Sequence, residues 1–147
     1  MQVRSVCLLF ASLVVTIASV TGCGGSSMKS YNVSGDVTFD GAPLPRGTIQ
    51  FLPDATKGNK GPAGFANVVD GKFDTKTSGK GTVGGPHKVV ISGFDGKADP
   101  SAELLLGNQL FGDYRTDADL PMEDGTQNFD VPKSATAGPQ RSNYSEP

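Results

Sequence analysis

Few side chains in this sequence could carry out chemistry. The 147 residues include one histidine, His87, and two cysteines, Cys7 and Cys23. A histidine can act as a general base or a metal ligand, but here there is no second histidine to share a metal site. Nucleophile elbows, phosphate-binding glycine loops and His-Glu-x-x-His helices are also missing from the sequence. We therefore expect a structural role for His87, no enzymatic activity, no metal centre and no cofactor.

An acidic run near the end of the chain, GDYRTDADLPMEDG, is the second candidate for chemistry. Asp113, Asp117 and Asp119 offer carboxylate oxygens, the ligands that Ca²⁺ prefers. Their spacing is not that of an EF-hand loop, and Pro121 interrupts the run. The preferred interpretation is a solvated acidic loop, with calcium binding as the alternative.

The N-terminal segment has the layout of an export signal. Arg4 supplies a positive charge, and the uncharged apolar run at 6–20 is shorter than the roughly 20 apolar residues of a membrane span. Small residues follow the run and precede Cys23. Residues 1–22 are therefore predicted to be a signal peptide that is removed from the mature chain.

The last residues of this segment, Val20, Thr21 and Gly22 followed by Cys23, resemble the lipobox of bacterial lipoproteins. In that family the cysteine thiol receives a diacylglycerol, the signal is cleaved before the cysteine, and the new amine is usually acylated. The resemblance implies a lipid anchor on Cys23, with a membrane as partner. The alternative is an ordinary cleaved signal with an incidental cysteine.

The residues after the cysteine, GGSSMKS, are predicted to be a flexible tether that extends over 23–30. Gly24 is not the aspartate that typically retains lipoproteins at an inner membrane. The resemblance therefore implies a location in the cell envelope, at the outer membrane where the cell has two.

The mature chain reads as all-β. Its 20 glycines and 10 prolines suit short strands and many turns. Apolar residues alternate with polar ones in 31–40 and 48–53, residues 63–75 are predicted to form a hairpin, and 86–94 is a further strand. Asp40-Gly41 and Asp70-Gly71 are strong turn signals. The predicted inward-facing residues are Val33, Val37, Phe39, Ile49, Phe51, Phe73, Val89, Ile91, Phe129 and Val131.

The end of the chain is less regular. Residues 99–111 fit either a short helix, capped by Asp99 and packing Leu104 and Leu105 on the sheet, or an irregular loop. A last strand pair is predicted on either side of Asp124-Gly125, and residues 133–147 are predicted to be disordered. The net charge of −2 and the scattered lysines exclude a nucleic-acid partner.

The segment VSGDVTFDGAPLPRGTIQFLP resembles bacterial transthyretin-like, carboxypeptidase-regulatory-like domains, as do DGKF and GGPHKVVISG further on. The resemblance implies a small antiparallel β-sandwich over 31–132, with about seven strands and Greek-key-like connections. His87 takes the place of an aromatic residue in that family's pattern. The function implied is a non-catalytic envelope lipoprotein with a structural or binding role, which presents its domain to a protein or a glycan. The alternatives are an accessory subunit of an envelope enzyme, such as a peptidase, and a hydrolase.

Overall fold

The computed structural model describes residues 28–136, which form a curled, mostly antiparallel β-sheet around one core. The strands are β1 (Val33–Phe39), β2 (Ala42–Pro43), β3 (Arg46–Pro53), β4 (Gly64–Val69), β5 (Lys72–Asp74), β6 (Gly79–Lys80), β7 (Gly85–Phe94), β8 (Gln109–Leu120), β9 (Gly125–Thr126) and β10 (Phe129–Val131). One turn of α-helix, α1 (Thr75–Ser78), and 3₁₀ turns at Ala55–Lys57, Pro100–Ala102 and Lys133–Thr136 complete the described chain. The all-β, sandwich-like fold predicted from the sequence is confirmed.

The strand order shows how the chain closes around its core. Across the sheet the order is β10, β1, β5, β4, β3, β7 and β8, with β2, β6 and β9 as short additions. Strands β3, β4 and β5 are consecutive antiparallel neighbours, and β1 lies beside β5 rather than beside β3. This is a Greek-key arrangement.

The closing strands pair differently from the prediction. Strand β8 pairs with β7, whereas β9 and β10 run parallel to β1, so Asp124-Gly125 does not join a hairpin. Asp124 instead accepts hydrogen bonds from the backbone N–H and the side-chain amide of Asn32, at 2.8 and 3.0 Å. These two hydrogen bonds hold the segment that follows β8 beside β1 instead of beside β8.

Gly35 of β1 lies at a close approach between the two chain segments of this parallel pairing. Gln127 N–H donates to the carbonyl of Ser34 at 2.8 Å, and Asp36 N–H donates to Asn128 Oδ1 at 2.9 Å. A Cβ on Gly35 would overlap the carbonyl oxygen of Gln127. Only glycine lets the two backbones approach so closely.

Both predicted turns are present. Asp40 and Gly41 have φ of 52° and 78° and connect β1 to β2, and Asp70 and Gly71 have φ of 50° and 77° and connect β4 to β5. Positive φ at both central residues is the requirement of a type I′ hairpin turn. Asp-Gly meets it because both residue types tolerate the left-handed region.

The core agrees closely with the predicted inward face. Every predicted residue is buried except Phe39, which is half-buried and packs on Phe111 with ring centroids 4.9 Å apart. The rings of Phe51, Phe73 and Phe129 meet pairwise at 5.9–6.2 Å in tilted geometries, which are favourable for aromatic pairs. The core also contains residues that were not predicted, namely Leu44, Ala66, Val68, Val90, Phe111 and Leu120.

Residues 99–108 form the loop alternative rather than a helix, and 109–111 are the start of β8. Asp99 caps a turn by accepting from Ser101 N–H at 3.0 Å, as predicted, but the turn ends at Ala102. Glu103 has φ of 58°, which ends the turn, and Leu104 bridges back to Asp99. Leu105 is 76% exposed, so the predicted packing of this leucine on the sheet is wrong.

The described residues extend past the predicted domain of 31–132 at both ends, to Met28 and Thr136. Tyr31 and Thr82 exchange two backbone hydrogen bonds of 2.8 Å, and Met28 lies against Gly61 in the same region. At the other terminus, Lys133–Thr136 form a 3₁₀ turn, and Ala135 packs on the core. Within residues 28–136 no helix has the length and apolar character needed to cross a membrane.

Candidate functional site

His87 faces the core, as its alternation with Val89 and Ile91 predicts. Its side chain is 1% exposed, and Nδ1 lies 2.8 Å from the carbonyl oxygen of Gly85. Because a carbonyl only accepts hydrogen bonds, Nδ1 carries the proton and donates. Nε2 is also buried, and no group in residues 28–136 bonds to it. A substrate could reach this imidazole only if the core opened.

The three calcium candidates lie on β8 rather than in a loop. Asp113, Asp117 and Asp119 are exposed on one face of that strand, where neighbours two residues apart are separated by about 6.8 Å and those four apart by about 13 Å. Asp113 accepts a hydrogen bond from Ser92 Oγ at 2.7 Å. A single ion with ligands at about 2.3–2.6 Å cannot span this row. Within residues 28–136 no three His, Cys, Asp or Glu side chains are grouped to hold a metal ion.

Asp117 belongs instead to a charge network that the sequence did not reveal. Its oxygens lie 3.4 Å from Lys57 Nζ and 3.5 Å from Lys88 Nζ. The same two lysines approach Oδ2 of Asp54 at 3.9 and 3.7 Å. Asp54 is buried, and hydrogen bonds from the Thr56 side chain and backbone N–H lower its pKa, helped by the charges of the lysines and opposed by burial. The network fixes the turn at Ala55–Lys57 against the sheet, which is a structural task.

A surface groove of about 540 Å³ lies over β1, β4, β5 and α1. An ion pair of 2.9 Å joins Lys72 Nζ to Asp36 Oδ1 in its lining. Its other polar side chains include Asn67, Asp74, Thr77 and Ser78. Hydroxyl, amide and carboxylate groups of this kind can form hydrogen bonds with a glycan or a peptide. They come from separate segments, so no single motif in the sequence could have identified them.

One exposed apolar side chain, Val69, lines the groove, and two others lie elsewhere on β3 and β4. Phe65 and Val69 lie on β4 with 48% and 44% of their surface exposed, and Leu52 of β3 is 36% exposed. Such side chains on a mostly polar face are compatible with a protein or glycan contact.

Cys23 and the lipobox residues Val20, Thr21 and Gly22 lie outside the described residues. The described chain begins at Met28, five residues after the cysteine.

Comparison with known proteins gives no relative: no family model, no curated protein and no solved structure matches this chain.

Proposed function

We propose that this chain is a non-catalytic lipoprotein of the cell envelope, anchored through Cys23, whose transthyretin-like sandwich has a structural or binding role. The observation that carries the proposal is the cysteine itself, which follows Val20-Thr21-Gly22 at the end of an uncharged apolar run. The burial of the only histidine supports the non-catalytic part, since a core imidazole cannot touch a substrate. The Asp-Gly turn and flanking strands of Val33–Pro53 support the family resemblance.

The energetics favour a permanent anchor. Each buried methylene of an acyl chain contributes about 0.8 kcal/mol, so a single chain binds a bilayer only reversibly, whereas two or three chains do not leave it on a biological timescale. A diacylglyceryl group on Cys23 therefore suffices to hold the domain at the membrane without any membrane-spanning segment.

Mass spectrometry of the mature N-terminus tests this proposal. Trypsin should release the peptide Cys23–Lys29, carrying the added mass of a diacylglyceryl group, from protein extracted from membranes. The exchange Cys23→Ala should abolish the modified peptide and shift the protein to the soluble fraction. Cys7→Ala is the matched control, because Cys7 lies in the segment that is predicted to be removed. A mature chain that begins elsewhere, or an unmodified Cys23 in membrane-bound protein, would refute the anchor.

The groove favours a binding role over a purely structural one. A photo-crosslinking residue at Val69, which lines the groove, should give a discrete adduct in cells, whereas the same residue at the exposed Leu105 should not. If the adduct contains a peptidase or another envelope enzyme, the accessory-subunit alternative is favoured. Equal labelling from both positions would remove the support that the groove gives to binding.

A further inference from the structure

The two ends of the sandwich carry opposite charge. We define the tether end as 28–32, 54–63, 75–84 and 121–124, and the far end as 40–45, 70–71, 95–108 and 132–136; the strands between them run from one end to the other. The tether end has five lysines and three carboxylates. The far end has two lysines and five carboxylates. The chain enters the domain at the positive end.

Much of the negative charge at the tether end is already engaged. Asp54 is paired with Lys57, and both oxygens of Asp124 accept hydrogen bonds from Asn32. In contrast, four lysines of this end are exposed and form no ion pair with any other residue of 28–136: these are Lys29, Lys60, Lys76 and Lys80. The charge of Lys76 acts on Asp124, which leaves Lys29, Lys60 and Lys80. Their charge is therefore available to an external anion.

Two exposed methionines lie at the same end of the sandwich. Met28 is 52% exposed, and its sulfur lies against Gly61, the neighbour of Lys60. Met122 is 68% exposed and packs over Gly84. Exposed apolar side chains at an end rich in lysine suit a lipid–water interface, because the ammonium groups meet phosphates while the apolar chains enter the headgroup layer.

The distance to the anchor places this surface at the bilayer. Met28 is the fifth residue after Cys23, and an extended chain of that length spans at most about 18 Å. The anchor cannot hold the tether end farther than this from the bilayer. The lysines of the tether end can therefore approach the lipid headgroups to within the Debye length, which is about 8 Å at physiological ionic strength. An anionic surface strengthens the binding of each nearby lysine by about fivefold, so three lysines together contribute about 100-fold.

We propose that the surface formed by Met28, Lys29, Lys60, Lys80 and Met122 docks on anionic phospholipid headgroups of the membrane that holds the Cys23 lipid. The domain then has a defined orientation, with its acidic far end directed away from the bilayer. This inference rests on the proposed lipid anchor.

Fluorescence on reconstituted vesicles tests the orientation. The lipidated protein, carrying either Met122→Cys or the matched control Leu105→Cys, is labelled with a polarity-sensitive dye and placed in phosphatidylcholine vesicles with or without phosphatidylglycerol. We expect the dye at position 122 to shift to the blue and to be quenched by headgroup-labelled nitroxide lipid, but only with phosphatidylglycerol present. The dye at position 105 should remain in a water-like environment in both vesicles.

Charge variants identify the cause of the orientation. Combining Lys29→Gln, Lys60→Gln and Lys80→Gln in the Met122→Cys protein should abolish the blue shift, as should high salt. Exchange of three lysines outside the tether end, at positions 72, 97 and 133, should leave the shift intact. Equal quenching at positions 122 and 105 in anchored protein, or a shift that survives the triple exchange, would overturn the docking surface alone. Protein that washes off both kinds of vesicle would overturn the anchor, and the docking inference with it.

Discussion

The buried imidazole of His87 provides a direct test of how this core is stabilised. The exchange His87→Leu removes both ring nitrogens and keeps an apolar side chain of similar size at the same position of β7. Two effects then oppose each other: the hydrogen bond from Nδ1 to the Gly85 carbonyl is lost, and the unpaired Nε2 is no longer buried.

The balance of these two effects favours the variant. A neutral intramolecular hydrogen bond contributes about 0.5–1.5 kcal/mol to stability, whereas an unsatisfied buried polar atom costs about 1–3 kcal/mol. We therefore expect His87→Leu to raise the free energy of unfolding by about 1 kcal/mol. In contrast, His87→Ala should lower it by about 3 kcal/mol, because it leaves a cavity in a close-packed core.

Urea denaturation of the two variants and the parent protein, followed by circular dichroism, measures both differences. The slopes of the unfolding free energy against urea should be similar, so that the midpoints report stability. If His87→Leu is destabilised as much as His87→Ala, the reasoning is wrong, since Nε2 must then have a partner that stabilises the fold.

Two further predictions concern the parallel pairing along β1. Gly35→Ala should lower the free energy of unfolding by about 3 kcal/mol, because the added Cβ would overlap backbone atoms of residue 127. The control Gly41→Ala, whose Cβ would lie in open space at φ of 78°, should cost only about 1 kcal/mol of backbone strain. Equal losses of stability in urea titrations of the two variants would contradict this prediction. Hydrogen bonds from the backbone and side chain of Asn32 hold the pKa of Asp124 below its ordinary value of 3.8. The ionised Asp124 therefore stabilises the fold above pH 3.8, and this stabilisation is lost as the pH falls through the lowered pKa. In Asp124→Asn the melting temperature should therefore fall less steeply as the pH is lowered into the acid range. The control Glu123→Gln removes a charge that does not contact Asn32. If the pH dependence of the melting temperature is the same in both variants, the role given to Asp124 is refuted.

Local patterns predicted the parts of the fold that local forces determine. The alternation along β7 placed His87, Val89 and Ile91 inward because a strand that is buried on one face imposes that period. The Asp-Gly pairs predicted two turns because few other residue pairs accept positive φ twice. In both cases the determinant lies within a few residues of its effect.

The errors arose where distant residues decide the structure. Asp124-Gly125 has the composition of a hairpin turn, but Asp124 bonds to Asn32, which lies 92 residues earlier in the chain. Leu44 lies between two prolines and belongs to no alternating pattern of apolar residues. It is nevertheless fully buried, because β2 and the turn after it fold over the core. The groove likewise collects side chains from β1, β4, β5 and α1. Periodic patterns in the sequence do not predict contacts between residues that are so far apart in the chain.

The edge strand β8 disfavours one way in which a partner protein could bind, the addition of a strand to the sheet. Strand β8 ends the strand order and is 12 residues long, which makes it a potential template for an added strand. However, its outward side chains include Asp113, Arg115, Asp117 and Asp119, and charged residues on an edge strand oppose pairing with another chain. Asp117 is moreover engaged by two lysines, which a partner strand would have to displace. Strand addition at β8 is therefore disfavoured, and a partner would meet its least obstructed polar surface in the groove over β1, β4, β5 and α1.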